Sequence, residues 1–545
     1  MNLTIPLDSY PAGNPLSRDY LAGSTRVKGW YHNSIRDDNW ASNRIAELQQ
    51  RSFPDRGRLA QSISGRMSAW GAGPRALAAA ASLAEQNTYV ITTGQQAGLF
   101  GGPLYTPLKA MAVILHARRL AARFPELNFV PVFSIAAIDS DFDEIRSASL
   151  LDRSWDVREL GLAAQAADDN RIIAARDLGA ELPALLDELS AILPDTEFGQ
   201  WTVGTLRDSY TDGSLVNGFA RFMLRIFADT DLVLIDSSDP QYLRSSADLL
   251  HQQLENPAEM LALLAGRNSR IREAGYALQV DEQPGDLQLF WLDDEQQRHK
   301  LMYEDGSLRL RDTERGPSGS ELLELARSQP ERFVPGALLG PLWQDRMLPN
   351  VAWVGGMAEI AYRAQSAALF EFHGLRMAPS FLRCTATLLA RRQIQQLDEF
   401  GWELTDLYRP REELEAMAVE SLRPRGLDSA VQDYLQRLEG ADSELLEIAL
   451  QVDATLEQSF ATIRGNILKT ADKLEKKITS ALKRHNETIT RRAASLHGLA
   501  YPGNLPQERV IGYVSCLARY GPELTGRLLE QLDPLDCMHR VLIMD

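Results

Sequence analysis

The chain has 545 residues, of which 44 % are hydrophobic and 24 % are charged, a composition typical of globular proteins and unlike that of disordered chains. Its 57 basic and 74 acidic residues give a net charge of −17, which argues against a general nucleic-acid binder. Three cysteines without a CxxC pair and eight scattered histidines predict neither a disulfide framework nor a structural zinc site.

The amino-terminal and apolar segments bear on location. The sequence does not open with a basic leader followed by an apolar stretch, so we predict no signal peptide. The best apolar run, AMAVILHARRLAA, is interrupted by His116, Arg118 and Arg119 and is too short to cross a membrane. We therefore expect a cytoplasmic protein that needs no resident metal.

The first half of the sequence predicts a parallel sheet. Residues 1–88 have a mostly helical pattern. Two apolar runs, 88–94 and 128–139, are predicted strands, separated by a glycine-rich loop at 94–103 and a helical pattern up to residue 124. A strand, a loop, a helix and a second strand within about 50 residues are typical of a βαβ unit.

Later segments continue the alternation. Residues 231–240 and 350–356 are predicted strands, and the second runs through Gly355 and Gly356 into a helix. Two strand–glycine–helix junctions are what a Rossmann-like α/β core places at the carboxyl edge of its sheet. Residues 287–294 and 299–312 predict antiparallel strands with an Asp305-Gly306 hairpin turn, which indicates a β-containing insertion.

Strand signals end near residue 385. Residues 443–498 contain no proline, and their apolar residues recur with spacings of 3, 4 and 4, which predicts one long helix. Such a helix would span roughly 84 Å and would need an antiparallel partner, for which 388–440 is the candidate, a second subunit, or both. Residues 464–492 carry a net charge of +6. They could be a solvated helix face, or a patch for phosphates or for an acidic surface of a partner.

These patterns predict three regions of the chain. The first is a Rossmann-like core over 1–385 with insertions at roughly 150–230 and 241–340. The second is an α-helical antiparallel coiled-coil arm over 386–500. The third is a carboxyl-terminal segment, 501–545, that returns to the core.

The glycine-rich loop is the most informative segment. Its glycines would let backbone N–H groups approach an anion at the start of the next helix, and its polar side chains could donate to phosphate oxygens. The loop matches neither the Walker A pattern nor GxGxxG, so a turn that only packs the helix on the sheet is an equal alternative. The candidate phosphate-binding residues are Gly94, Gln95, Gln96, Gly98, Gly101, Gly102, Tyr105 and Thr106, with Lys109 one turn further along the helix.

Two further clusters follow predicted strands. The acidic run 138–145 could hold the Mg²⁺ of a nucleotide, orient an amine or fix a ribose through Asp139 and Asp141, or it could be a solvated turn. The second cluster follows the predicted strand 350–356 and could line a substrate pocket or be ordinary helix surface. It comprises Gly355, Gly356, Glu359, Tyr362 and Gln365.

Cys384 has no nearby histidine in sequence and is interpreted as a buried structural thiol.

Taken in collinear order, these segments resemble the cysteine ligase family of bacillithiol biosynthesis (BshC). The resemblance covers essentially the whole chain. It is carried by TGQQAGLFGGPLYTPLKA, VPVFSIAAIDSDFDEI, PLWQDRMLPNVAWVGGMAEIAY, MAPSFLRCTATLL and the segment 505–545. One departure is Ile138-Asp139-Ser140-Asp141, where the family pattern usually has Glu-Asp-His-Asp.

The resemblance implies a Rossmann-like core, a long coiled coil, and a homodimer. It also implies the last step to bacillithiol, or to a modified bacillithiol, in which L-cysteine is added to the amine of glucosaminyl-malate. Joining a carboxylate to an amine in water is uphill, so we expect ATP, with or without Mg²⁺, to activate the carboxylate as an adenylate or an acyl phosphate. Lys109, Asp139 and Asp141 are then the candidate catalytic residues.

The missing histidine leaves a second interpretation open. The protein could be a catalytically inactive, dimeric, nucleotide-binding scaffold or regulator of the same fold.

Overall fold

The structure is a computed structural model that describes residues 3–544, apart from 54, 167, 282, 312, 314, 315, 422–425 and 486. The chain packs as two compact units. The first comprises Met1–Leu388 and Leu505–Asp545, and the second comprises Leu389–Asn504. Within the described residues, no helix is both long enough and apolar enough to cross a membrane.

The strands of the described chain are listed in chain order. They are β1 (Leu3–Pro6), β2 (Thr88–Gln95), β3 (Asn128–Ile135), β4 (Ser147–Leu151), β5 (Val157–Gly161), β6 (Val233–Asp236), β7 (Asp286–Leu292), β8 (Arg298–Glu304), β9 (Ser307–Leu310), β10 (Phe333–Pro335), β11 (Asn350–Gly355), β12 (Ser380–Leu382), β13 (Ala386–Ala390) and β14 (Met538–Met544).

The helices before the arm are α1 (Pro15–Ala22), α2 (Trp40–Gln49), α3 (Arg56–Ala69), α4 (Pro74–Ser82), α5 (Tyr105–Arg123), α6 (Leu182–Ile192), α7 (Glu197–Ser209), α8 (Leu215–Ile226), α9 (Pro240–Arg244), α10 (Ala247–Glu255), α11 (Pro257–Glu273), α12 (Gly319–Ser328), α13 (Gly340–Met347) and α14 (Met357–Phe372). The remaining helices are α15 (Arg391–Phe400), α16 (Arg411–Ser421), α17 (Leu427–Val452), α18 (Leu456–His485), α19 (Glu487–Ala500), α20 (Gln507–Val510), α21 (Tyr513–Tyr520) and α22 (Leu524–Gln531).

A five-stranded parallel sheet organises the first unit, and it confirms the predicted α/β, Rossmann-like class. Its strand order is β12-β11-β2-β3-β6. Residues 88–93 of β2 are fully buried, as expected for a central strand covered on both faces. The chain builds outward from β2 in one direction through β3 and β6, and later in the other direction through β11 and β12. The order therefore reverses between β2 and β11, where α/β proteins bind their ligands.

Helix α5 connects β2 to β3 and packs against both strands and β11. Its alanine, leucine and methionine side chains are buried over three turns, which fixes the helix on the sheet. Helix α14 follows β11 directly through Gly356, whose backbone N–H donates to Glu359 Oε2 at 2.8 Å and so caps the first turn. Both helices consequently begin at the carboxyl edge of the parallel sheet.

An inserted antiparallel sheet has the order β10-β7-β8-β9. The predicted hairpin between β8 and β9 is confirmed, because Asp305 and Gly306 take φ values of 50° and 76° in its turn. The pairing of β7 with β8 shifts register between Asp286 and Phe290. Gln288, inside this bulge, has a φ of 55°, a left-handed conformation that a non-glycine residue adopts only at an energetic cost.

The ends of the first unit meet in a third sheet. β1 pairs antiparallel with β14, and β14 lies between β1 and β13. Strand β1 lies within the region 1–88, whose pattern predicts mostly helix. The local pattern does not reveal this strand, because its four residues pair with residues more than 500 positions away in the chain. The chain leaves the first unit after Leu388 and returns to it at Leu505. Gln507 links these two points, since its side chain accepts from the Leu388 N–H at 2.7 Å and donates to the Leu388 carbonyl oxygen at 3.0 Å.

The arm is helical, as predicted, but the prediction of one uninterrupted helix over 443–498 is wrong. Helix α17 ends at Val452, and α18 begins at Leu456. Asp453 has extended backbone angles, and its carboxylate accepts hydrogen bonds from the N–H and Oγ1 of Thr455, each at 2.8 Å. This short turn competes with the helix for the backbone, as Asp and Thr side chains often do.

The turn changes the pairing of the arm helices. Helix α18 packs against α17, and α19 packs against α16. The predicted partner of the long helix was 388–440. This agrees with the contact between α19 and α16, but α18 packs against α17, which extends beyond that range to Val452. Two residues of the apolar repeat, Ala471 and Leu482, have side chains outside the described part of the structure.

Candidate active site

A cavity of about 500 Å³ opens at the switch point between β2 and β11. Its volume lies within the range of small-molecule sites. The core contributes residues from the ends of β2 and β3 and from α14, and the inserted sheet closes the other side. The polar side chains on its wall include Gln95, Gln96, Ser134, Asp139, Ser237, Asp281, Asp286, Gln288, Arg298, Lys300, Gln344, Glu359 and Tyr362.

Lys109 lies behind this wall and does not line it. Its ammonium donates to the Gly94 carbonyl oxygen at 2.9 Å and to Gln95 Oε1 at 2.7 Å, and it forms an ion pair with Glu359 Oε2 at 2.7 Å. All three donors of the ammonium are thus used inside the protein. Burial lowers the pKa of Lys109, and the neighbouring Glu359 carboxylate opposes this effect. Lys109 is placed to orient two side chains that do line the cavity.

Gln95 and Gln96 belong to one hydrogen-bonded network along the cavity floor. Gln95 Nε2 donates to Gln96 Oε1 at 2.8 Å and to the Tyr105 hydroxyl at 3.2 Å. Gln96 Nε2 donates to Asp139 Oδ2 at 2.9 Å and to Glu144 Oε2 at 2.6 Å. The network joins the ends of β2 and β3, and burial raises the pKa of Tyr105 to about 12, so its hydroxyl stays protonated at neutral pH.

Asp139 makes one of the polar contacts between the core and the inserted sheet. Its Oδ1 accepts from Arg298 Nη1 at 3.0 Å and from the backbone N–H of Ser140 at 2.8 Å. Asp141 lies on the exposed side of the same loop, where it accepts from the Glu144 N–H at 3.2 Å. The structure therefore places Asp139 on the cavity and Asp141 outside it.

Helix α14 directs Glu359 and Tyr362 into the cavity, one helical turn apart. Gly355 is fixed by packing, since a Cβ there would lie 2.0 Å from the Trp353 indole. Gln365 is buried and holds the segment before Asp281, because it accepts from the Gln279 and Val280 N–H groups at 3.1 and 3.2 Å. It thus supports the cavity wall without lining it.

The remaining loop residues pack inside the protein. Gly98, Gly101, Gly102 and Thr106 are buried and do not line the cavity. Gly101 has a φ of 89°, and a Cβ there would lie 2.6 Å from the Phe222 ring. These residues let the chain turn tightly between β2 and α5, which brings Gln95 and Gln96 to the cavity.

Sequence reasoning missed the contribution of the inserted sheet. Arg298, Lys300, Asp286 and Phe290 line the cavity opposite the core. The sequence predicted antiparallel strands over 299–312 but could not reveal which face meets the core, since that depends on packing between distant segments. Cys384 is buried, as predicted, and burial raises the pKa of its thiol to about 12.

Among the described residues, no three His, Cys, Asp or Glu side chains converge in a way that could hold a metal ion. The cavity wall is acidic overall, with the carboxylates of Asp139, Asp281, Asp286 and Glu359 against the cations of Arg298 and Lys300. Such a wall favours a ligand that carries an amine, and its two cations offer contacts to an acidic group.

Comparison with known proteins gives a consistent result along the chain. Residues 3–384 match the family described as "Bacillithiol biosynthesis BshC, N-terminal Rossmann-like domain". Residues 386–544 match "Bacillithiol biosynthesis BshC, C-terminal coiled-coil domain".

Relatives that carry the name "Putative cysteine ligase BshC" align over most of their length. The protein of Symbiobacterium thermophilum is 31 % identical over 95 % of this chain and 95 % of its own. That of Chlorobaculum tepidum is 32 % identical over 81 % of this chain and 80 % of its own. That of Salinibacter ruber is 29 % identical over 90 % of this chain and 89 % of its own. The chain therefore belongs to the bacillithiol biosynthesis BshC family.

Proposed function

We propose that this protein is an ATP-dependent ligase that joins the carboxylate of L-cysteine to the amine of glucosaminyl-malate, the last step to bacillithiol or to a modified bacillithiol. The observation that carries the proposal is the acidic cavity at the switch point of the sheet. It occurs in a member of the BshC family whose relatives carry the name "Putative cysteine ligase BshC".

The arrangement around Glu359 supports a role for this residue with the amine. Its Oε2 is held by Lys109 and by the Gly356 N–H, whereas its Oε1 accepts no hydrogen bond from a described residue. A fixed carboxylate with one free oxygen can bind an ammonium group and then accept a proton from the attacking nitrogen. Tyr362, one turn along the helix, adds a hydroxyl at the same wall.

The cavity also suits a nucleotide in its position and its lining. It lies where doubly wound α/β folds bind nucleotides, and Phe290, Trp343 and Trp353 give it aromatic walls. ATP, when bound, supplies the activation that makes amide formation favourable. The Nε2 groups of Gln95 and Gln96 donate inside the network in this structure and would exchange these partners for the phosphates of ATP. Any Mg²⁺ would be held by those phosphates together with Asp139. Lys109 would act by orienting Gln95 and Glu359.

The proposal is tested by direct product detection. Purified protein is incubated with ATP, L-cysteine and glucosaminyl-malate, and the amide is sought by mass spectrometry, with an active BshC enzyme run in parallel. We expect an amide that depends on all three substrates. ATP consumption without this amide would mean a different acceptor. The absence of both, beside an active control, would contradict the ligase function and favour a nucleotide-binding scaffold, which the Ser140 departure already suggests.

We further propose that the arm makes a homodimer. The helical pair α17–α18 leaves large apolar side chains in solvent. Leu445, Ile448 and Val452 are 57 %, 62 % and 81 % exposed on one face of α17, and Ile463 and Ile467 are 53 % and 37 % exposed on one face of α18. Apolar stripes of this kind are typical of helices that pack against a second subunit.

Charged substitutions in these stripes should separate the subunits. We expect the double variant Ile448→Glu, Ile467→Glu to have the mass of one chain in light scattering, and the unchanged protein to have the mass of two. Leu263→Glu, at a similarly exposed leucine of α11, serves as the control and should leave the mass unchanged. A dimer that persists in the double variant would show that the subunits meet elsewhere.

A further inference from the structure

The inserted sheet places two cations side by side on the cavity wall. Arg298 and Lys300 are two residues apart on β8, so their side chains lie on the same face of the strand, the face that lines the cavity. Phe290 lies opposite Lys300 on β7, and its ring is 3.8 Å from the Arg298 guanidinium carbon and 5.6 Å from the Lys300 ammonium. The aromatic face supports both cations and limits where they can move.

The bulge in β7 produces this arrangement. Between Asp286 and Phe290 the strand carries extra residues relative to β8, and Gln288 takes its left-handed conformation there. Bulges of this kind change the direction of side chains and are frequent beside functional sites. Here the bulge brings the Asp286 carboxylate within 2.9 Å of the Lys300 ammonium, while Phe290 remains opposite the same lysine.

Each cation is fixed by one carboxylate and keeps donors unused. Asp139 accepts from Arg298 Nη1, whereas Nη2 donates to no described residue, and Nε is buried without a partner. The Arg298 side chain is only 10 % exposed and its Nε is enclosed, so Nη2 is the donor that a ligand in the cavity can reach. The Lys300 ammonium donates to Asp286 alone among the described residues, which leaves two of its three hydrogens available.

We propose that Arg298 and Lys300 form a subsite for a dicarboxylate, and that they bind the malyl end of the acceptor while its amine lies toward Glu359. This assignment rests on the proposed function. Residues two apart on a strand are separated by roughly 7 Å, a spacing that lets two cations each reach one carboxylate of a four-carbon diacid. The triphosphate of ATP is assigned above to Gln95 and Gln96, which leaves the wall of Arg298 and Lys300 for the acceptor.

The experiment compares glucosaminyl-malate with its dimethyl ester, which keeps the amine but has no negative charge. Binding of each is measured by calorimetry in the absence of ATP and cysteine, so that the result does not depend on turnover. We expect the unchanged protein to bind the acid about tenfold or more tightly than the ester, the size of effect that charge-assisted hydrogen bonds give. In Arg298→Gln and in Lys300→Gln the ratio should fall toward one.

Arg309→Gln provides the matched control. Arg309 lies on the neighbouring strand β9, pairs with Glu304 and is outside the cavity, so this variant should keep the full preference for the acid. Circular dichroism and thermal unfolding identify any variant that fails to fold. If one of the two cavity variants does not fold, the other still tests the subsite. The binding of ATP to each variant is measured alongside and should not change.

Three results would overturn the subsite. The unchanged protein could bind acid and ester equally, or both cavity variants could keep the full preference. Alternatively, the affinity for ATP could fall while the preference stays, which would assign the two cations to phosphate. Failure of the ligase assay with a positive binding result would reject the proposed reaction and leave the subsite standing.

Discussion

Replacing Lys109 with methionine should reduce amide formation by about a hundredfold or more, the loss that a displacement of about 1 Å causes in a catalytic site. Lys109 does not face the cavity, yet its ammonium holds Gln95 and Glu359, which do. Methionine keeps an apolar stem of similar length and removes all three bonds. The rate of product formation by mass spectrometry measures the effect.

The same variant should also be less stable. Removing one partner of a buried ion pair costs about 3–5 kcal/mol, but Glu359 retains 27 % exposure, so we expect a cost below that range. Lys28→Met, at an exposed lysine, should leave both the rate and the thermal unfolding unchanged. Full activity in Lys109→Met would contradict the orienting role. Lost activity with normal binding of the acceptor would place the defect after binding.

Glu508→Gln should be strongly destabilising, by about 3–5 kcal/mol in the free energy of unfolding. The Glu508 carboxylate is fully buried and joins three separate parts of the first unit. It accepts from Arg383 Nη2 at 2.6 Å, from the Tyr10 hydroxyl at 2.9 Å and from the Ala386 N–H at 2.9 Å. Glutamine preserves the shape but leaves the Arg383 charge buried without a counter-ion. Chemical denaturation of the purified protein measures the change.

An exposed ion pair of the same carboxyl-terminal segment provides the comparison. Asp533 pairs with Arg119 at 2.9 Å, and the two side chains are 42 % and 54 % exposed. Asp533→Asn should therefore cost at most about 1 kcal/mol, as is usual for pairs in solvent. Equal losses in the two variants would mean that burial of the Glu508 pair adds nothing.

The Glu508 pair also predicts a dependence on pH. Burial alone would raise the pKa of Glu508, but the charge and hydrogen bond of Arg383 lower it below its ordinary value. A carboxylate with a lowered folded-state pKa contributes fully above its unfolded pKa of about 4.3, and this contribution is lost as the pH falls through the folded-state value. On acidification below about pH 4.3 the unchanged protein should lose stability more steeply than Glu508→Gln.

Local patterns predicted the elements whose partners are close in sequence. The apolar run at β2, the helix α5 and the run at β3 form a βαβ unit within some fifty residues, and the sheet is parallel as this unit requires. The Asp305-Gly306 turn was predicted for a similar reason, because a two-residue hairpin is defined by its own residues.

The features that sequence patterns did not reveal have physical causes that act over long distances or compete locally. Lys109 is buried where α5 packs on the sheet, and its ammonium pairs with Glu359, which lies 250 residues away in the chain. The cations of β8 reach the cavity only through the packing of the inserted sheet. The arm helix breaks at Asp453 because a short hydrogen-bonded turn replaces helical bonds, a local competition that the apolar repeat does not record.

The two hydrogen bonds between Gln507 and Leu388 show where a segment of the chain could be inserted or removed. They hold the point where the chain leaves the first unit beside the point where it comes back, so residues 389–504 are an insertion with adjacent ends. Insertions with adjacent ends are those that proteins lose, gain or exchange most readily. An arm joined to the first unit in this way can change in length while the cavity keeps its structure.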